Sequence, residues 1–186
     1  MINFRRTERT VVHNWVAWKL VRGRFIAPDG EEFVRTYVES PGATGIVAFI
    51  ANSTGGDDVV MVRQYRASLD ALSFEIPAGM RDVEDEEPLL TAQRELREET
   101  GFVARRWDAL GQMRQSPGLT NGAVQLFLAR DLQAVETERH GPEEKFMTVE
   151  RFSVEHAVAM IDSGEIDNAL AIVAILRGLR FAQLHP

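Results

Sequence analysis

Apolar positions along this chain follow two rhythms, short β-branched runs through most of its length and helical spacing in three stretches. GIVAFIA (45–51) and VVMVRQY (59–65), separated by Gly55-Gly56-Asp57-Asp58, predict a strand pair joined by a turn. SFEIP, Ser73 to Pro77, is a further short strand. Residues 1 to about 40 mix charges with Trp15, Trp18 and Phe25, and Pro28-Asp29-Gly30 supplies turn chemistry, which predicts a small antiparallel sheet ending at Ser40-Pro41-Gly42. Pro88 suits a first helical turn, and the following LLTAQRELREET has no breaker before Gly101, a natural C-terminal cap. Beyond it, Trp107 to Gln115, Ala123 to Ala129 and Phe146 to Phe152 read as strands, with Ser116-Pro117-Gly118 between the first two. Val154 to Ser163 and Ile166 to Arg180 read as helices. Strands first, one helix among them and helices at the end predict an α/β (α+β) protein, a mixed sheet packed between helices. The break near residue 40 separates an N-terminal sheet, 1–40, from a main domain, 41–186.

The 186 residues suffice for one domain with an appendage, and 45% hydrophobic with 26% charged residues is globular composition. Twenty-eight acidic against twenty-one basic side chains give a formal charge of -7, which argues against a nucleic-acid partner. If a protein so charged handles anions, metal ions and a few placed arginines are the expected means. The absence of cysteine excludes disulfides, a thiolate nucleophile and Cys-ligated zinc. The N-terminal MINFRRTERTVVHNW lacks an apolar signal core, and the longest apolar runs are too short for a bilayer, so a cytoplasmic protein without a membrane partner is expected.

The candidate chemistry lies on the helix after Pro88. At 100° per residue, with Glu95 at zero, Glu99 falls at about 40° and Glu98 at about 300°, so three carboxylates share one arc. Leu89, Ala92 and Leu96 fall between about 60° and 120°, which places the acidic arc at the margin of the buried stripe. Like charges at this spacing oppose one another by roughly 0.2–0.5 kcal/mol per pair and oppose the helix macrodipole as well, so a cation should compensate them.

The string Gly79 to Phe102, GMRDVEDEEPLLTAQRELREETGF, resembles the Nudix box, Gly-x5-Glu-x7-Arg-Glu-U-x-Glu-Glu-x-Gly-U with U apolar. Arg94, Glu95, Leu96, Glu98, Glu99, Gly101 and Phe102 match in register, and Glu86 stands eight before Arg94. Gly79 precedes Glu86 by six intervening residues instead of five, a single insertion in the loop before the helix. The resemblance implies a Nudix-type α/β/α sandwich and a pyrophosphohydrolase in which Mg2+, or Mn2+, neutralises phosphate oxygens and lowers the pKa of a bound water. It implies Glu95 and Glu99 as main metal ligands, Glu98 assisting and the Ala78 carbonyl contributing beside Gly79, with Glu75 a further candidate. Arg94 is expected to orient a helix glutamate.

Three features outside the box resemble the ADP-ribose pyrophosphatase branch: VRQYR at Val62 to Arg66, EIPAG running into the box, and SPGLTN after it. Pro117, fifteen residues beyond Phe102, has the spacing that marks this branch. Relatives often carry an acidic residue shortly after that Pro-Gly, where this chain has Asn121 and Gly122. In the loop Thr137 to Lys145, where many relatives place the residue that activates water, Glu144 or Glu143 is the candidate base. Arg66 resembles an arginine that faces the diphosphate, with Arg35 and Arg63 as further candidates, and Trp15, Trp18 and Phe25 could stack an adenine or form a homodimer interface. The implied reaction is hydrolysis of ADP-ribose to AMP and ribose 5-phosphate. Another sugar nucleotide, such as GDP-mannose or ADP-glucose, and a non-hydrolysing nucleotide sensor are the alternatives.

Overall fold

A computed structural model of the chain describes residues 3–136 and 144–185. It divides into two compact units, residues 1–42 with 114–123, and residues 43–113 with 124–186.

In the first unit, β1 (Arg5–Trp15), β2 (Trp18–Ile26) and β3 (Glu32–Glu39) form an antiparallel sheet in that order. Val16, at φ 48°, turns β1 into β2 and brings the Trp15 and Trp18 rings to 5.4 Å. Pro28-Asp29-Gly30 makes the expected second turn, where Gly30 donates to the Ala27 carbonyl at 3.0 Å with φ 91°, a conformation open to glycine. Phe25 stacks on Phe33 across β2 and β3, and Arg35 lies over the Phe33 ring at 5.0 Å. Every residue of β1 is exposed. The segment 114–123, expected as a turn at Ser116-Pro117-Gly118 with strand residues at either end, lies outside both strands and is hydrogen-bonded to the end of β3. Val38 donates to Leu119, Asn121 donates to Val38, and the Asn121 side chain accepts from the Ser40 amide at 3.0 Å.

The second unit is built on a mixed sheet of β4 (Ala43–Ala51), β5 (Asp57–Arg66), β6 (Ala71–Glu75), β7 (Ala78–Met80), β8 (Phe102–Met113), β9 (Val124–Ala134) and β10 (Thr148–Ser153). The order is β10-β5-β4-β9-β8, with β6 on β5 and β7 on β4, and β4 with β9 is its parallel pair. Along β4 the side chains alternate between two cores, as strand geometry requires. Ile46 and Ala48 meet Ala92 and Leu96 of α1 (Pro88–Thr100), whereas Val47 and Phe49 meet the core that contains residues of α2 (Val154–Ser163) and α3 (Ala169–Leu184). Helices thus cover both faces, the α/β/α arrangement that the order of elements predicts.

Helix α1 has the predicted limits. Pro88 opens it after Glu87, and Gly101 closes it at φ 69°, donating to the Arg97 carbonyl at 2.9 Å. Several other elements differ from their expected bounds, among them the strand expected from Phe146, which begins at Thr148 after a 3-10 turn at Glu144–Phe146, and the short strand expected over 73–77, which spans Ala71–Glu75. Strand β8 begins at Phe102, directly after the cap, and carries Arg105 and Arg106 toward solvent as a sheet edge. Strand β9 runs on to Ala134. Helix α3 starts at Ala169 because the Asn168 side chain caps it, accepting from the Ala171 amide at 2.8 Å. Ile166, expected inside that helix, is instead a fully buried residue of the link before it.

Candidate functional site

The acidic arc is held at the margin of the core by the packing of α1. Ala92 and Leu96 are buried against the sheet, and Glu99, one turn beyond Glu95, is itself 8% exposed. Its carboxylate accepts from the Ala78 amide at 3.0 Å. Glu95 reaches the same short strand by another route: a Cβ on Gly79 would fall 2.0 Å from Glu95 Cδ and Oε1. Glycine at 79 therefore leaves the room that the Glu95 carboxyl fills.

Arg94 is the compensating cation. Its Nη1 donates to Glu95 Oε1 at 2.8 Å and to Glu98 Oε2 at 3.1 Å, and its Nη2 stands 3.6 Å from Glu86 Oε2. Glu86 is fixed in turn by the Thr91 hydroxyl at 2.7 Å. Burial works against the Arg94 charge, but Glu95 and Glu98 outweigh it and hold the guanidinium above its ordinary pKa. The extra residue between Gly79 and Glu86 is absorbed in the loop, where Asp85 takes φ 59°, and Glu86 still meets Arg94.

A cleft of 290 Å³ opens over these groups, lined by Gln64, Arg66, Ala78, Gly79, Met80, Asp82, Arg94, Glu95 and Glu99. Strand parity decides which arginine reaches it. Gln64 and Arg66 lie on the same face of β5 as Val60, which packs with α1, whereas Arg63 lies on the face of Val59 and Met61. The Arg63 guanidinium accordingly sits over the Phe74 ring at 5.2 Å, so the structure does not bring it together with Arg66. Glu75, a candidate ligand, is held by Arg66 through two hydrogen bonds of 2.7 and 2.5 Å, with Gln64 at 3.4 Å. Arg35 and Pro117 belong to the first unit. Glu143 lies outside the described residues, and Glu144 begins a short 3-10 turn, Glu144–Phe146.

Gln64, Met80 and Asp82 line the cleft without having been singled out from the sequence. Gln64 had a readable signal, since it stands two residues from Arg66 and strands repeat every two.

All the acidic donors here are hard oxygens, the donor set that suits a divalent cation such as Mg2+ or Mn2+. Glu95 and Glu99 flank Ala78 and Gly79 in one cleft, and among the described residues five glutamates, Glu75, Glu86, Glu95, Glu98 and Glu99, surround Arg66 and Arg94. Among the described residues no three acidic or histidine side chains converge on one point, because Glu95 and Glu98 turn to Arg94 and Glu99 to the Ala78 amide. A cation held in the cleft would compete with Arg94 for Glu95.

The NUDIX domain profile matches residues 41–171. The chain belongs to the NUDIX family. Among its NUDIX relatives, "ADP-ribose pyrophosphatase" of Mycobacterium tuberculosis is 34% identical over 174 residues, 94% of this chain and 82% of the relative. "ADP-ribose pyrophosphatase" of Bacillus subtilis is 35% identical over 148 residues, 80% of this chain and 77% of the relative. A solved structure described as an "ADP compounds hydrolase" superposes with a TM-score of 0.82 at 18% identity, covering 97% of this chain and 94% of that one, which agrees on the fold. The acidic cleft over α1 lies within the matched NUDIX segment. Among the described residues, no helix is long and apolar enough to cross a membrane.

Proposed function

We propose that the protein is a divalent-metal-dependent NUDIX pyrophosphohydrolase that cleaves the diphosphate of ADP-ribose, giving AMP and ribose 5-phosphate. The observation that carries this reading is the cleft in which Glu95 and Glu99 meet Ala78 and Gly79 beside Arg66, together with relatives named for ADP-ribose along most of the chain. Glu95 and Glu99, with Glu98 and the Ala78 carbonyl, would hold Mg2+ or Mn2+. A cation bound there neutralises phosphate oxygens and makes water more acidic.

The chain's own residues account for the remaining work. Arg66, at the rim of the cleft and 45% exposed along its side chain, offers its guanidinium to the diphosphate while Glu75 fixes its orientation. Arg94 holds the box glutamates in place and keeps their mutual repulsion from spreading them. Glu144 or Glu143 takes a proton from the attacking water. The test is phosphate release, coupled to a phosphatase, from ADP-ribose, ADP-glucose and GDP-mannose with and without EDTA. ADP-ribose is expected to be turned over fastest, and EDTA to abolish activity. Preference for another sugar nucleotide would move the substrate, and tight binding without turnover of any compound would favour a sensor.

The first unit is proposed as the homodimer element. Phe4 and Trp15 are both 58% exposed and Val12 55% exposed on or beside a strand whose whole length faces solvent, an apolar surface of the kind that associating proteins cover. Light scattering on a size-exclusion column is expected to give twice the 20.9 kDa of one chain. A single-chain mass at micromolar concentration would sink the dimer.

A further inference from the structure

Thr44 is fully buried on β4, and its hydroxyl has no hydrogen-bond partner among the described residues. Native proteins leave few buried hydroxyls unpaired, because such a group has given up water for nothing. Valine would fill nearly the same volume without that penalty, so the hydroxyl needs an explanation.

Register supplies one. Thr44 stands directly opposite Gly79 in the pairing of β4 with β7. Opposed residues project from the same face with Cβ atoms about 4.5–5.5 Å apart. Gly79 has no side chain, and the Glu95 carboxyl lies where its Cβ would be, 2.0 Å away at Cδ and Oε1. Glu95 thus takes the place of Thr44's cross-strand neighbour. On the other flank of β4, Thr44 stands in register with Gln125 of β9, which is half-buried. Ile46, the next residue of β4 on this face, is apolar. Glu95 is the charged side chain that fills the position across from Thr44, and its Oε1 already accepts from Arg94 at 2.8 Å.

We propose that Thr44 is a positioning residue for Glu95: its hydroxyl donates to the Glu95 carboxylate once a divalent cation has drawn that carboxylate from Arg94. The proposal rests on the cation reading of the cleft. The hydroxyl is then an unpaired group in the metal-free protein and a paired one in the loaded protein, so Thr44 contributes to the preference of Glu95 for its cation-holding position.

The experiment uses the full chain as wild type, Thr44→Val and Thr44→Ser. It follows thermal unfolding in EDTA, Mn2+ binding by loss of the free-ion electron paramagnetic resonance signal, and the split between kcat and KM. Thr44→Val is expected to raise Tm in EDTA by about 2–4 °C, because an orphan hydroxyl is replaced by a methyl group. The same variant is expected to weaken Mn2+ binding about 10-fold, the scale of a hydrogen bond to a charged group, while Thr44→Ser restores it. A Thr44→Val protein that binds Mn2+ as wild type does would overturn the proposal, whether its KM rises, which would assign the hydroxyl to substrate, or its Tm falls, which would make Thr44 structural. Wild-type protein that takes up no Mn2+ would overturn the cation reading and the proposal together, a result distinct from the other two.

Discussion

Glu99→Gln is expected to lower turnover by about 10³-fold, corresponding to several kcal/mol of lost electrostatic stabilisation at roughly 1.36 kcal/mol per decade. The substitution preserves shape, and the amide oxygen can still accept from the Ala78 backbone, so the local fold should persist. What disappears is a negative charge at an 8%-exposed position, where water screens little. The loss should therefore hold at every accessible pH, and extra Mg2+ should rescue it poorly. Glu144→Gln provides the contrast. If Glu144 takes the proton, metal affinity stays near wild type, the chemical step slows by about 10²- to 10⁴-fold, and higher pH recovers part of the rate because hydroxide replaces the base. Steady-state kinetics over pH and Mg2+ concentration, with Glu143→Gln measured in parallel, check both. Wild-type rates in both loop variants would return the base to the box, with Glu98 next in line.

Gly79→Ala is expected to cost about 10²-fold in turnover, the scale on which a misplacement of roughly 1 Å acts at a catalytic group. The new Cβ cannot share space with Glu95 Cδ and Oε1 at 2.0 Å. Glu95 is a flexible side chain next to a cleft, so it swings aside and leaves the backbone where it was. Alanine thus separates site geometry from folding. Thermal unfolding should move by only a few degrees, about what 1 kcal/mol produces in a domain of this size, while Mn2+ affinity falls. A Gly79→Ala enzyme with wild-type kcat and Mn2+ affinity would show that Glu95 works from another position.

Local signals made much of this fold readable. Pro88 and Gly101 bracket α1 because a missing amide suits a first turn and a left-handed cap suits glycine. The glutamate arc followed from helical pitch alone, and Arg94 supplies the cation that the arc required. The extent of β8 and β9 was harder to read. Their outer halves carry charged residues such as Arg105, Arg106 and Asp131, and edge position and pairing, which are tertiary facts, keep them extended. Site residues divide along the same line. Glu95, Glu98 and Glu99 share one helix and were legible together, whereas the grip of Arg66 on Glu75 needed the register of β5 with β6. Thr44 carries no motif. Its significance exists only because β7 pairs with β4 and places an empty glycine across from it.

The parallel pairing of β4 with β9 also sets an order of assembly during synthesis. Ala43 meets Val124, about 80 residues later, so this contact pays a large loop-closure entropy while the β4–β5 and β8–β9 hairpins need only neighbouring chain. A nascent chain that has released α1 but not β9 already displays every box glutamate. The sheet beneath them is still missing the strand that supplies Phe127 and Ala129 to the core under α1. The acidic helix is thus made well before its platform is complete, and the cleft reaches its final form only after β9 has left the ribosome.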